Sequence, residues 1–315
     1  MRGNVPHGQR PRFRTRTAML AVTAVSILLP GTALAQKPAL PPATVSPETT
    51  PVSAPQPEAA VNPGRPTVTD VAPLTVPGYL ELESGLNYVK GGAGLDYQFN
   101  QAFLLKLTDR PGRTEFRLSS SGYVVQKTTG GTAAVTTGGP NGSTVIVANT
   151  NSFAQGFGDT TFGVQHLFMA QTPKRYNVAG RLEYKLPTGG SRVGTGRSDY
   201  NLLLLASKDY TEKLHADYNL GQALLGRSDQ SGYAKQFFAS AAFSYQIPRG
   251  FTVQTELYGF SGNALNGTNI VNGYGFTYTS RPSVVYDGYI GFGLTRSAPK
   301  YAITIGRTFF LGKLF

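Results

Sequence analysis

Few residues in this 315-residue sequence have the type and spacing that catalysis requires. The three histidines are His7, His166 and His215, and only His215 has a carboxylate two residues away, at Asp217. A hydrolase that uses a covalent intermediate also needs a serine or cysteine that the histidine can activate. No serine stands at a recognisable spacing and the chain has no cysteine. We therefore predict no catalytic residues and no enzyme activity, and we interpret His215 as a polar lining residue.

The sequence also lacks the residues that would bind a cofactor or a nucleic acid. The absence of cysteine removes thiolate metal sites, and no motif brings His166 and His215 together, so no metal site and no cofactor is predicted. The glycine-rich segments 189–196 and 273–275 do not open a helix, which argues against a nucleotide site. Of the formal charge of +12, five units come from arginines before residue 17, and the remaining +7 is spread along the chain. That distribution argues against nucleic-acid binding.

The charged residues from residue 78 onward form a better candidate site because they share one position in a repeating pattern. Apolar and polar residues alternate along many segments, and an extended strand places the two kinds on opposite faces. The predicted inward-facing, lumen-lining residues are Glu81, Glu83, Lys106, Glu115, Arg117, Arg181, Glu183, Lys185, His215, Asp217, Glu256 and Asp287. Such charges can pair and fill the interior of a barrel, or they can line a wet pore and set its selectivity.

The elements that position these residues are predicted to be antiparallel β-strands. In 236–247, for example, Phe237, Ala239, Phe243 and Tyr245 alternate with polar residues. Twelve strands are predicted, near 79–90, 94–108, 114–126, 157–169, 175–186, 199–208, 213–224, 236–247, 251–260, 270–279, 283–295 and 300–312. The weakly patterned 270–279 is included because both ends of an outer-membrane barrel lie in the periplasm, which requires an even number. Ten and fourteen remain alternatives, since Ser143–Ala148 is also strand-like.

A transmembrane barrel explains the pattern better than a soluble sandwich, which shows the same alternation. Charged residues make up only 15% of the chain, whereas soluble domains carry about 25%. The apolar faces end in tyrosines, as in the aromatic girdle of a barrel. Short connections, such as 108–113 and 247–250, interleave with long ones, such as 126–155 and 187–198. Outer-membrane barrels have short periplasmic turns and long external loops.

The N-terminal quarter of the chain has a different composition from the barrel. Residues 1–35 read as a cleaved secretory signal peptide, with five arginines, an apolar run and the small residues Ala33 and Ala35. Residues 36–77 contain eleven of the 21 prolines and are predicted to be a disordered, proline-rich periplasmic linker. A tether to a periplasmic partner is the alternative to a plain spacer. Residues 78–315 then form the β-barrel domain, in the cell outer membrane.

Short motifs in the barrel region resemble those of one known family. They are Gly156-Phe157-Gly158-Asp159, Pro187-Thr188-Gly189 with Gly194-Thr195-Gly196, and a final hairpin with Tyr286-Asp287-Gly288, Ser297-Ala298-Pro299 and Ile305-Gly306. In this order they resemble the outer-membrane transporters named for the MetA pathway of phenol degradation. The resemblance implies an outer-membrane barrel and, as for some members of the family, a role in passing aromatic or other hydrophobic compounds. Separately, the terminal Phe315 resembles the signal that the barrel-assembly machinery recognises, which makes this machinery an expected partner. Arg307 departs from the expected apolar stripe, through either a bulge near Gly306 or snorkelling to the interface.

The sequence therefore predicts an outer-membrane channel or transporter. Its partners would be outer-membrane lipid and a small-molecule solute, aromatic or hydrophobic compounds among them, passing through or along the lumen. Loops 126–155 and 187–198 are expected to fold over the mouth, with Phe153 and Phe157 meeting an apolar solute. The alternative is a structural or adhesive surface protein with a plugged lumen. Whether the linker itself enters the lumen is left open.

Overall fold

A computed structural model describes residues 58–92, 94–129, 151–190, 192–227, 231–263 and 267–315. The strands are β1 (Tyr79–Lys90), β2 (Leu95–Thr108), β3 (Thr114–Ser120), β4 (Tyr123–Thr129), β5 (Asn151–Phe157), β6 (Thr160–Met169), β7 (Asn177–Leu186), β8 (Asp199–Asp209), β9 (Leu214–Gly226), β10 (Tyr233–Ile247), β11 (Phe251–Phe260), β12 (Asn269–Arg281), β13 (Val284–Gly293) and β14 (Tyr301–Lys313). Within these ranges no helix has the length and hydropathy needed to cross a membrane. The predicted signal peptide and the strand-like 143–148 lie outside the described residues.

The strands close into a single antiparallel barrel. Strand β1 pairs with both β14 and β2, so the sheet has no free edge there. Strands β3 and β4 both pair with β2, and β5 and β6 lie beside them in the next position. The fourteen described strands therefore make twelve barrel positions. This confirms the prediction of an all-β barrel of about twelve strands.

Two glycines make the break that divides these split positions. The chain between β3 and β4 turns at Gly122, whose φ of +62° is available to glycine at no steric cost. The amide of Gly158, between β5 and β6, donates to the carbonyl oxygen of Gly122 at 2.8 Å. Beyond the break β4 runs to Thr129 and β5 begins at Asn151, so the loop predicted over 126–155 is shorter than expected. We attribute the longer strands to the closing of their ladder beyond the bend.

The two ends of the barrel differ in the length of their connections. One end, called the turn end, carries the connections 109–113, 170–176, 210–213, 248–250 and 282–283. The other, called the loop end, carries 91–94, 187–198, 227–232, 261–268 and 294–300. Residues 130–150 of the predicted loop 126–155 lie outside the described residues. Tyrosines ring both ends of the outer face. Tyr176, Tyr210 and Tyr218 share hydroxyl hydrogen bonds at the turn end, and Tyr184 stacks on Tyr200 at the loop end.

Residues 58–77, called the inner segment, lie inside the barrel. The amide of Val61 donates to the carbonyl oxygen of Pro282 at the turn end, and the amide of Gly78 donates to that of Thr108 at the same end. Between these points the segment reaches the middle of the barrel, where Pro66 packs beside Gly275 of β12. Part of the predicted linker 36–77 is therefore an ordered component of the barrel interior, and 36–57 lies outside the described residues.

Two glycines of the barrel wall leave room for this segment. A Cβ atom at Gly85 of β1 would lie 2.3 Å from the guanidinium of Arg65, and one at Gly306 of β14 would lie 2.7 Å from its Nε atom. The two glycines are paired across the strands. A larger residue at either position would crowd the Arg65 side chain and also a backbone carbonyl, that of Ile305 for Gly85 and that of Ser84 for Gly306, each 2.7 Å from the added Cβ.

The departure at Arg307 is explained by the register of the last strand. The β1–β14 ladder runs without a shift past Gly306, and its one irregularity lies opposite Leu80 and Glu81, near the turn end. Arg307 is exposed on the outer face, with its guanidinium 4.6 Å from the ring centre of Phe309. Of the two alternatives, a bulge near Gly306 is not found, and an outward-reaching arginine is the arrangement present.

Candidate functional site

All twelve residues predicted to line the lumen lie on the inner face of the barrel. Ten are buried, and Glu183 and His215 are half-buried. A wall of buried charges needs partners, because an unpaired charge removed from water costs several kcal/mol. Some of these partners come from neighbouring strands, and others come from the inner segment.

Glu256, in the middle of β11, is satisfied by the inner segment. The backbone amides of Val68 and Thr69 donate to its carboxylate at 3.0 and 2.9 Å, and the Thr69 hydroxyl donates at 2.9 Å. Among the described residues Glu256 makes no ion pair. Its charge is therefore stabilised by peptide dipoles of the segment and not by a cation of the wall.

Asp70 gives the segment an acidic side chain that the wall binds on three sides. Arg117 of β3 donates to its carboxylate at 3.1 Å, and Arg181 of β7 forms a second, shorter ion pair with the same oxygen. Asn219 of β9 binds the Asp70 backbone, accepting from its N–H at 2.7 Å and donating to its carbonyl at 2.9 Å. Burial alone would raise the pKa of Asp70, but the Arg181 and Arg117 guanidiniums outweigh it and hold the pKa below 3.8.

Lys106 joins two wall carboxylates to the first part of the segment. Its ammonium lies 2.6 Å from both Glu81 and Glu83. The backbone amides of Asn62 and Gly64 donate to the same two carboxylates, at 2.8 and 2.9 Å. This group carries two acids and one base, so peptide N–H groups again stabilise the excess negative charge.

Arg65 supplies the one cation of the segment that reaches the wall. Its guanidinium lies 3.3 Å from the carboxylate of Asp287 on β13 and donates to the Thr304 hydroxyl at 3.1 Å. Both side chains of the pair are almost completely buried. A planar guanidinium can donate two parallel hydrogen bonds to a carboxylate. Away from water, this geometry makes the Arg65–Asp287 ion pair specific as well as favourable.

The loop end has its own charged group, which does not touch the segment. Lys185 lies 2.6 Å from Asp199 and 3.2 Å from Asp159. Asp159 also accepts from the amide of Gly189, so the motifs 156–159 and 187–189 meet in space. The connection 187–198 then turns inward, and Val193 packs against Val124 and Ala154. This agrees with the expectation that 187–198 covers the mouth.

Phe153 and Phe157 do not lie at the mouth of the barrel, where they were predicted to meet a solute. Their side chains are 56% and 69% exposed, on the outer face of β5. They alternate with the buried Ala154, which faces inward, so the strand period turns both rings away from the lumen. The expectation that they meet a solute at the mouth was wrong.

The inner face instead carries an apolar group formed by other residues. Phe238, Tyr258 and Phe260 are buried beside Val271 of β12 and Ala298 of the 294–300 connection. Val68 of the inner segment packs against this group. An aromatic patch therefore lies between the tip of the segment and the loop end.

His215 sits near the turn end between two carboxylates. Its ring nitrogens lie 2.6 Å from Asp209 and 3.0 Å from Asp217. The Ser207 hydroxyl donates to Asp217 at 2.5 Å, so the acid lies between the serine and the histidine. A catalytic triad needs the histidine next to the nucleophile. Over the described ranges no cluster of His, Cys, Asp and Glu could hold a metal ion.

The residues missed in the sequence are those that join the wall to the segment. Arg65 and Asp70 are the only charged residues between 59 and 77, within a proline-rich stretch without period. Gln165 and Asn219 are polar residues on predicted inward faces. The signal available was this isolated pair of opposite charges in a stretch, 59–77, that carries no other charge.

No family model matches the chain, and no curated protein matches its sequence. Among solved structures, an outer-membrane channel from Pseudomonas putida F1 has a TM-score of 0.56 at 12% identity, covering 80% of this chain and 100% of that one. The NanC porin has a TM-score of 0.47 at 12% identity over 73% and 98% of the two chains. The monoaromatic hydrocarbon channel CymD has 0.40 at 9% over 76% and 90%. At such identities the likeness shows the barrel fold alone.

Proposed function

We propose that this chain is an outer-membrane channel for small solutes and that the inner segment closes it. The proposal rests on how the charged side chains of the barrel wall are paired. Wall charges of a permanently filled barrel can pair with one another. Here Glu256, Asp287, Arg117 and Arg181 all take partners from one separate piece of chain.

The path of the segment is consistent with its removal. It enters and leaves at the turn end, so it can withdraw without threading a loop or breaking a strand pair. Its contacts with the barrel are noncovalent, and the wall behind it is polar and charged. Such a wall would be solvated readily once the segment had left.

The location follows from the same architecture. Exposed aliphatic and aromatic side chains cover the outer face, and outer-membrane lipid is the partner that such a face requires. Short turns of such barrels are periplasmic, so the segment would leave toward the periplasm. Export by the signal peptide and insertion by the barrel-assembly machinery belong to this proposal.

An apolar component of the solute is the finer part of the proposal. The resemblance to the phenol-degradation transporters implies aromatic or hydrophobic compounds. The buried aromatic patch around Phe238, Tyr258 and Phe260 supports it, since it offers an inner-face contact for an apolar group. No such contact comes from Phe153 or Phe157.

The test is planar-bilayer conductance of the full chain beside a chain without 36–77. A correctly assembled barrel is first selected by its heat-modifiable migration on a gel. Steady currents that increase when the segment is absent support the channel. If the shortened chain does not assemble, Asp70→Asn in the full chain replaces it, with Glu212→Gln on the exposed 210–213 turn as the control.

A structural or adhesive surface protein is the second candidate. The observation that favours it is the completeness of the packing, since Glu81, Glu83, Lys106 and Glu256 are almost fully buried by the segment. If the full chain, the shortened chain and Asp70→Asn all show no current in the bilayer, that result would support this candidate and contradict the channel proposal.

A further inference from the structure

The inner wall binds residues 68–72 of the segment through their peptide groups. Glu256 accepts from the amides of Val68 and Thr69, and Asn219 binds both backbone groups of Asp70. The next partners are Gln165, which donates to the carbonyls of Val71 and Ala72 at 3.1 Å, and Ser207, which accepts from the amide of Ala72 at 2.8 Å. Five consecutive residues thus have backbone partners on the wall.

These partners come from four strands and are all side chains. Gln165, Ser207, Asn219 and Glu256 belong to β6, β8, β9 and β11. A sheet edge would bind any peptide through its own backbone, but here every contact depends on the identity of a wall residue. The wall is therefore a built site for an extended peptide backbone.

One position of this site selects a carboxylate side chain. Arg117 and Arg181 converge on Asp70, and both are at most 6% exposed. Gln165 accepts from the Arg181 Nε at 2.9 Å, which orients that guanidinium. Glu115 lies 2.7 Å from the Arg117 guanidinium and holds it in place. Two positioned guanidiniums in a dry site form a carboxylate receptor.

The site has the length of a short peptide. Val68 and Asp70 are two residues apart, so the carboxylate of Glu256 and the arginine pair bind points no more than about 7 Å apart along the occupant. Beside Val68 lies the aromatic patch, which adds an apolar contact two residues before the acid.

We propose that this part of the wall is a binding site for short, extended acidic peptides, and that residues 68–72 occupy it as a built-in competitor. The proposal rests on the proposed function, because the full site becomes free only when the segment leaves the lumen. It names the solute class of that channel: a peptide with a carboxylate side chain two residues after an apolar one.

The first test measures the carboxylate position in the full chain. Asp70→Ala removes the carboxylate and leaves a space that formate fills without withdrawal of the segment. Formate should raise the melting temperature of Asp70→Ala saturably, and bind at least about tenfold more weakly to the wild type. In Asp70→Ala/Arg181→Gln the effect should disappear. No effect in Asp70→Ala, or an equal one in the double variant, would overturn the carboxylate site.

If Arg181→Gln does not assemble, Arg117→Gln replaces it in the same comparison. Assembly is checked for each variant by heat-modifiable migration. Glu212→Gln is the matched control, because it keeps Asp70 on the two arginines and should respond to formate as the wild type does.

The second test measures the peptide site with synthetic probes in titration calorimetry. The probes are acetyl-Val-Thr-Asp-Val-Ala-amide and the same peptide with asparagine in place of aspartate. The tethered segment competes at an effective concentration in the millimolar range, so binding should be at least about tenfold tighter to Asp70→Ala than to the wild type. Within Asp70→Ala, the aspartate probe should bind about tenfold tighter than the asparagine probe.

Equal binding of the two probes to Asp70→Ala, or binding of neither, would overturn the peptide site. Conductance measurements on the same variants test the proposed channel function independently of peptide binding. Currents together with equal or absent probe binding would contradict the peptide site and leave the channel. Selective binding in a variant that never conducts would support the site and contradict the channel.

Discussion

Under the proposed function, Asp70→Asn should open the channel, because it removes one partner of a buried charge cluster. Asp70 is 2% exposed and pairs with Arg117 and Arg181. Removing one partner of a buried ion pair costs about 3–5 kcal/mol. We expect the lower end of that range, since the asparagine oxygen can still accept from one guanidinium and Arg117 keeps Glu115 at 2.7 Å. About 3 kcal/mol corresponds to a change of about 100-fold in an equilibrium constant.

The assay is the ratio of open to closed time of single channels in planar bilayers. That ratio should rise about 100-fold in Asp70→Asn, while Glu212→Gln stays near the wild type. An Asp70→Asn channel with the open ratio of Glu212→Gln would refute the reasoning that these ion pairs hold the segment in place.

Three further outcomes are expected. The pKa of Asp70 is lowered inside the barrel, so its contribution to holding the segment is complete above the free value of 3.8 and is lost as the pH falls through the lowered pKa. Single-channel recording should therefore show opening on acidification only in that acidic range. The Asp70→Asn variant should lack this response. Gly306→Val should crowd Arg65 and raise the open ratio, whereas Gly312→Val, with no atom near its Cβ position, should leave that ratio unchanged. Leu204→Arg places a charge on the outer face of β8, about midway between the tyrosines Tyr200 and Tyr210 of the two ends, where it should destabilise the inserted barrel by about 2–4 kcal/mol. Refolding titration into lipid vesicles measures this cost, and an unchanged free energy of folding would contradict the placement of this face in lipid.

The placement of the wall residues was predictable because it depends on a local pattern. Side chains alternate across a strand, so the period of two assigns Glu81, Arg181 or Glu256 to the inner face without knowledge of their neighbours. The strand number near twelve followed from the same pattern and from the alternation of short and long connections. Strand limits were predicted wrongly at the split around Gly122 and Gly158, because a bend interrupts the pattern there.

The partners of those wall residues were not predictable, because they are distant in the sequence. Thr69 and Glu256 are 187 positions apart, and Asp70 and Asn219 are 149 apart. No periodicity marks a proline-rich segment that binds through its backbone amides, since every residue except proline has one. Composition alone predicted a linker for residues that lie within the lumen.

The sequence by itself determined the class of fold, the two faces of the barrel and the chemistry of its wall, since each follows from residue type and spacing along a strand. Only the tertiary structure decided what lies within that wall. A charge in a closed barrel can be satisfied by any group that the closed chain brings beside it, and the group beside Glu256 is a pair of peptide amides. Closure of the barrel brings these groups together, and the spacing of residues along one strand does not predict it.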